Sequence, residues 1–165
     1  MKKELRNYAF IDGANLHKGI LQLGWKLDYK RFRRWLQDKF EVDKAYIFLG
    51  FIPENTGLYR DLQNAGYVVV FKPTILDSDG EIKGNCDAEL VLQTVDDMHE
   101  KLYQKAVIVS GDGDFACLVK FLQEKDRLLA VLCPNHQKAS ILLRRSVPDK
   151  IFFVERFRNI LEFHR

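Results

Sequence analysis

Short apolar runs recur along this chain, each about the length of a strand, and most are followed by a stretch whose apolar residues return every three or four positions. Residues 8–11 form the first run and lead straight into Asp12-Gly13. Helical patterning begins near Asn15, and a second helical stretch covers about residues 29–40, with Phe32, Trp35, Leu36 and Phe40 on one face. Residues 44–51 read as the second strand and 56–65 as a helix that Gly66 stops. A third strand at 67–71 gives way to the polar loop DSDGEIKG. A long helix is then predicted over about 86–103, with Leu90, Val91, Thr94, Val95 and Met98 facing inward. The rest of the pattern is strand 106–110, helix 115–123, strand 128–132, a short helix near 138–143, a strand near 151–154 and a C-terminal amphipathic helix.

Strands alternating with helices at this spacing predict an α/β fold with a mostly parallel central sheet and helices on both faces. Nothing resembling a linker, repeat or low-complexity stretch interrupts it, so the expectation is one domain over residues 1–165. Ligands of such sheets bind beyond the carboxyl ends of the strands. At those ends the first strand delivers Asp12, the fourth delivers Asp112 and Asp114, and the loop KGNCD delivers Asp87 to the start of the long helix, with Glu89 nearby. If the first and fourth strands are neighbours, these carboxylates share one rim.

Carboxylates held close together repel, so a cation must compensate them or some must take up protons. An all-oxygen set without histidine or thiolate suits Mg²⁺ or Mn²⁺. Such ions activate water and offset charge in phosphodiester chemistry. Each aspartate also has a simpler reading, because Asp12, Asp87 and Asp114 precede helical stretches they would cap, and Asp-Gly pairs form turns. Taken singly each favours the simpler reading; four gathered at the ligand edge favour a metal site.

Composition narrows the class without fixing it. Hydrophobic residues make up 47% and charged residues 30%, which is globular composition, and no apolar run approaches the roughly 20 residues of a membrane helix. The start of the chain lacks the apolar stretch of a secretion signal, so a cytoplasmic protein that does not engage membranes is expected. Cys86, Cys117 and Cys133 have no CxxC spacing and suggest neither a disulfide framework nor a zinc site. The net charge of +3, from 26 basic and 23 acidic residues, hints only mildly at a polyanionic partner.

The segments YAFIDGANL (8–16), GYVVVFKP (66–73), KGNCDAELVL (83–92) and VIVSGDGDFACLV (107–119) resemble the signature blocks of the NYN domain family, within the PIN-like nuclease superfamily. The resemblance implies a PIN-like Rossmannoid three-layer sandwich and metal-dependent hydrolysis of RNA by an endoribonuclease. It implies that Asp12, Asp87 and Asp112 bind Mg²⁺ or Mn²⁺, with Asp114 binding directly or through water. Asn15 would orient Asp12 or touch phosphate, and Ser110 would hydrogen-bond within the site. Many members have valine where this chain has Cys86, a small and largely apolar replacement. Some members of the superfamily bind RNA without cutting it, which makes a non-cleaving RNA- or protein-binding module the alternative.

An RNA surface combines cations for phosphates with aromatics for unpaired bases. His17 and Lys18 after the first strand, Lys72 after the third, Lys83 before Asp87, and Arg144 beside Arg145 are the candidates for contacting single-stranded RNA. Lys72 and Lys83 read equally well as ordinary surface lysines. In KRFRRW (30–35) the aromatics are expected in the core, leaving the arginines solvated. A phosphohydrolase of the aspartyl-phosphate type would need a second acid where Ala14 stands, and no P-loop occurs. Phe157, Ile160 and Leu161 of the last helix are expected either to form a homodimer surface or to pack on the sheet.

Overall fold

The computed structural model describes residues 4, 6–51, 56–73, 75–76, 78–80, 82–83 and 85–165. Its elements, in chain order, are β1 (Asn7–Asp12), α1 (Gly13–Leu21), α2 (Tyr29–Phe40), β2 (Val42–Phe51), α3 (Thr56–Asn64), β3 (Tyr67–Pro73), β4 (Ile75–Leu76), β5 (Ile82–Lys83), α4 (Asp87–His99), β6 (Ala106–Val109), α5 (Ala116–Glu124), β7 (Leu128–Cys133), α6 (Ile141–Ser146), β8 (Ile151–Phe153) and α7 (Arg158–Leu161). The main sheet has six strands in the order β3-β2-β1-β6-β7-β8, and every neighbouring pair is parallel.

The chain winds outward from β1 to β3 on one side, then crosses back to β6 and winds outward to β8. The sheet therefore reverses direction between β1 and β6, where crossovers diverge and leave a crevice at the strand ends. Register fixes what meets there: Ile11 lies opposite Val109, so Asp12 and Ser110 leave the sheet side by side.

Both faces of the central strands are buried, which is why they read as continuous apolar runs. Ala9 and Ile11 of β1 point into one core with Leu16, Ile20, Phe32, Leu36, Leu62 and Leu161, while Phe10 points into the other with Leu90, Leu118, Leu122 and Leu143. The two cores place α1, α2, α3 and α7 on one face of the sheet and α4, α5 and α6 on the other. The tight start of α1 sets a local constraint. A Cβ at Gly13 would meet the Phe48 carbonyl oxygen at 2.9 Å and clash with the Leu49 side chain. Gly13→Ala is accordingly expected to cost about 1–3 kcal/mol of stability, checked by urea unfolding, because the backbone oxygen of β2 cannot swing aside.

Three expectations are revised. The long helix stops at His99 because Lys101 adopts a left-handed backbone (φ 57°), and the Leu102 N–H donates to the Asp97 carbonyl at 2.9 Å. Tyr103 instead turns into the core, its hydroxyl donating to the Thr94 carbonyl at 2.8 Å. The polar loop after β3 holds the antiparallel pair β4–β5, Ile75 opposite Lys83 and Leu76 opposite Ile82. The C-terminal amphipathic helix is reduced to a 3-10 turn (Val154–Phe157) and the single turn α7, since the chain end is drawn beside the loop before α2. There the Asp28 N–H donates to the Leu161 carbonyl and the Phe163 N–H to the Lys26 carbonyl, each at 2.8 Å. Of the three apolar residues considered for that helix, two pack within the chain. Leu161 is fully buried and Phe157 packs on Trp35 with ring centroids 4.8 Å apart, leaving Ile160 half exposed.

In KRFRRW the aromatics are buried, as expected. Arg33 is not simply solvated, because it donates to the carbonyls of Gly66, Val42 and Asp43 and ties α2 to the neighbouring strands. Among the described residues no helix is long and apolar enough to cross a membrane.

Candidate metal centre

Asp12 ends β1, Asp112 follows β6, and Asp87 opens α4, which crosses above the β1 end of the sheet. Each offers a carboxylate oxygen, and the three oxygens lie within 4.8 Å of one another. Residues far apart in sequence thus meet at the crevice between β1 and β6.

Local capping and clustering operate together here. The Asp12 side chain caps α1, accepting from the Asn15 N–H at 3.2 Å. Its other carboxylate oxygen accepts from the Ser110 hydroxyl, also at 3.2 Å. Ser110 is fully buried, and its Oγ accepts from the Asp112 N–H at 3.1 Å, so one hydroxyl fixes both acids. The Asp112 carboxylate accepts from the Asp114 N–H at 2.9 Å. Asn15 completes the link across the crevice, its Oδ1 accepting from the Gly111 N–H at 2.9 Å.

Asp87 is held from outside the sheet. Asn85 accepts from the Asp87 N–H at 2.7 Å through Oδ1, and its Nδ2 donates to the Asp87 carboxylate at 3.3 Å. Lys72 fixes that loop in turn, donating to the Asn85 carbonyl at 2.9 Å and pairing with Glu89 at 3.3 Å. The second oxygen of Glu89, Oε2, is shielded from solvent without a hydrogen-bond partner.

The cost of gathering these acids is visible in their protonation. Burial raises the pKa of Asp12, and Asp87 and Asp112 raise it further against the bonds from Asn15 and Ser110. Asp87 is raised as well, by burial first and then by Asp112, Asp114 and Glu89, with Asn85 opposing. Hydrogen bonds from the chain therefore do not compensate the charge. A hard cation with oxygen ligands would, and the donor set contains neither imidazole nor thiolate to favour a softer metal. The residues present fit a divalent ion.

Several residues singled out in the sequence take other positions. Asp114 is exposed and outside the three-acid group, although its charge is felt at Asp87. Lys72 is engaged with Asn85 and Glu89 rather than free at the rim. Arg144 folds back onto its own chain, donating to the His136 carbonyl and stacking on the Phe153 ring 5.4 Å from its centroid. Lys18 is exposed on α1 and His17 beside it. Lys83 pairs through its backbone in β5, and its side chain lies outside the described residues. Burial pushes the Cys86 thiol up to about 11, with Glu89 adding to the shift, so it is protonated at neutral pH and inert as a nucleophile. Reading the sequence alone did not find Asn85; its position two residues before a helix-opening aspartate is the turn signal that would have pointed to it. An apolar groove lined by Val91, Leu92, Val95 and Phe115 adjoins Asp87 and Asp114.

Known proteins resemble this chain in sequence and in fold. The chain is 27% identical over 163 residues to the low amplitude and bright protein LabA of Synechococcus elongatus, covering 93% of this chain and 86% of that one. It also superposes on the crystal structure of a protein of unknown function from Vibrio parahaemolyticus with a TM-score of 0.76 and 23% identity, over 98% of this chain and 99% of the other. That second likeness is one of fold. The family model for the NYN domain matches residues 7–155, from the first residue of β1 to just beyond β8, and takes in all three acids. This chain belongs to the NYN domain family.

Proposed function

We propose that the chain is a metal-dependent endoribonuclease that hydrolyses phosphodiester bonds of single-stranded RNA. The observation that carries this reading is the group of three carboxylates, Asp12, Asp87 and Asp112, within 4.8 Å at the point where the sheet reverses. These residues would hold Mg²⁺ or Mn²⁺, which when bound lowers the pKa of a water and offsets charge on the attacking and leaving oxygens. Asp114 would touch a bound ion only through water, and its charge keeps the rim negative. Ser110 and Asn15 are positioning residues, the first fixing Asp12 and Asp112 and the second tying the start of α1 to the Gly111 backbone. Lys18 and Lys83 are assigned to RNA phosphates; Lys72 and Arg144 act on the shape of the rim. All three cysteines are free, which suits work in the reducing cytoplasm.

Because Ser110 orients two of the ligands, Ser110→Ala is expected to weaken Mn²⁺ binding about 10–100-fold, the usual effect of losing an outer-shell partner. A calorimetric titration with Mn²⁺ checks it. The function itself is tested with labelled single-stranded RNA and matched DNA, each with Mn²⁺, Mg²⁺ or EDTA. RNA products bearing 5′-phosphates that form with either ion and not in EDTA are expected. RNA binding without products under any of these conditions would replace the nuclease by a non-cleaving module.

A further inference from the structure

Behind Asn15, on the side of α1 away from Asp87, lies a cleft of about 230 Å³ between that helix and the 3-10 turn His136–Lys138. Asn15, Lys18, Gly19, Gly111, Asn135 and Lys138 line it, and no acidic residue does. We propose that this cleft is a phosphate subsite. It takes a nucleic-acid phosphate flanking the one at the acids, which rests on the reading of the site as one that acts on RNA.

Apart from the Gln22 amide, which both donates and accepts, its free side-chain groups are hydrogen-bond donors. Lys18 and Lys138 are exposed and take part in none of the ion pairs formed among the described residues. Asn15 gives its oxygen to the Gly111 N–H, leaving its Nδ2 without an acceptor among them. Asn135, by contrast, is a fixed wall. It is buried, its Oδ1 accepts from the Gln137 N–H at 3.0 Å and its Nδ2 donates to the Gly19 carbonyl at 3.5 Å. Gly19 packs so closely on this wall that a Cβ there would meet the Pro134 ring at 2.7 Å. A rigid cleft presenting two ammonium groups and an amide N–H demands a ligand rich in acceptors and negative charge, and a phosphate meets both demands. The cleft also shares a wall with the metal centre. The Asn15 backbone N–H donates to Asp12, and Gly111 immediately precedes Asp112. A strand whose one phosphate sits at the acids would pass its neighbour into this cleft, where positive charge offsets what the acids repel.

The test is made without metal, so that it does not depend on cleavage. Binding of a labelled ten-nucleotide RNA is measured in EDTA across a salt series for the wild type, for Lys18→Ala/Lys138→Ala, and for Lys101→Ala/Lys125→Ala. The last pair lies before β6 and β7, at the amino ends of the strands and so away from the acids. The cleft variant is expected to bind about 10-fold more weakly with a shallower salt slope, while the control pair stays near the wild type. Equal weakening in both variants, or none in either, would overturn the subsite and leave general electrostatics. Matching denaturation midpoints for all three proteins exclude misfolding as the cause. In parallel, adding inorganic phosphate should shift the Asn15 side-chain amide signals in ¹H–¹⁵N spectra, and unmoved signals count against the site. A chain that never cuts RNA yet shows the selective loss keeps the subsite and loses the nuclease. One that cuts normally after Lys18→Ala/Lys138→Ala, with unchanged RNA affinity, keeps the nuclease and loses the subsite.

Discussion

Replacing Asp112 with asparagine is expected to lower metal-dependent RNA cleavage by about 10³-fold or more, beyond the 10–100-fold typical of an outer-shell loss. The substitution removes one of three anionic ligands but leaves the local structure intact. The new side-chain oxygen still accepts from the Asp114 N–H, and the Asp112 backbone N–H still donates to Ser110. RNA affinity in EDTA is expected to rise slightly, since one negative charge fewer faces the phosphates. Single-turnover cleavage beside a gel-shift titration reads both quantities. Wild-type cleavage by the variant would mean that any nuclease activity arises elsewhere in the chain.

The second large effect concerns stability, and its sign follows from the raised carboxyls. Asp12 and Asp87 lie above their ordinary value of 3.8 in the folded chain, so the fold holds their protons more tightly than the unfolded chain does. Their stabilising contribution is full below 3.8 and is lost as pH rises through the raised values. At neutral pH the metal-free chain carries that loss. Adding Mn²⁺ or Mg²⁺ at about 100 times its dissociation constant should contribute about 2.7 kcal/mol. For a domain of this size that corresponds to a Tm rise of roughly 5–10 °C. Asp12→Asn in EDTA should melt above the wild type at pH 7, converge with it towards pH 4, and respond little to the ion. Melting curves from pH 4 to pH 8 with and without Mn²⁺ decide it. A wild type whose Tm ignores both ion and pH would show that the acids are already compensated.

Much of this was readable in advance because the signals were periodic or local. Six apolar runs became the six strands of the sheet; the strand-end rule pointed to Asp12 and Asp112, the loop KGNCD to Asp87, and the three carboxylates do meet. Pairing of the first run with the fourth was the one long-range assumption, and β1 does lie against β6. What escaped depended on tertiary contact. Two-residue strands such as β4 and β5 are too short to show a period. The last helix has the right amphipathic pattern, but pairing of the chain end near Leu27 competes with it and leaves one turn. Lys72 and Arg144 carry the right charge for RNA, yet each finds an acceptor on its own chain that sequence spacing does not reveal. Asp114 shares a motif with Asp112 but is carried outward by the 3-10 turn between β6 and α5.

The placement of β1 at the middle of the sheet has a consequence for the timing of synthesis. The strand is made before both of its neighbours, and one of them, β6, begins at residue 106, with Ser110 and Asp112 after it. A chain still emerging from the ribosome holds Asp12 without the partners that orient it, because synthesis runs from the N-terminus and the pairing that completes the site spans almost a hundred residues. The acid cluster therefore cannot assemble until synthesis has passed residue 112. A nascent chain that ends just before β6 holds Asp12 and Asp87 without the third acid.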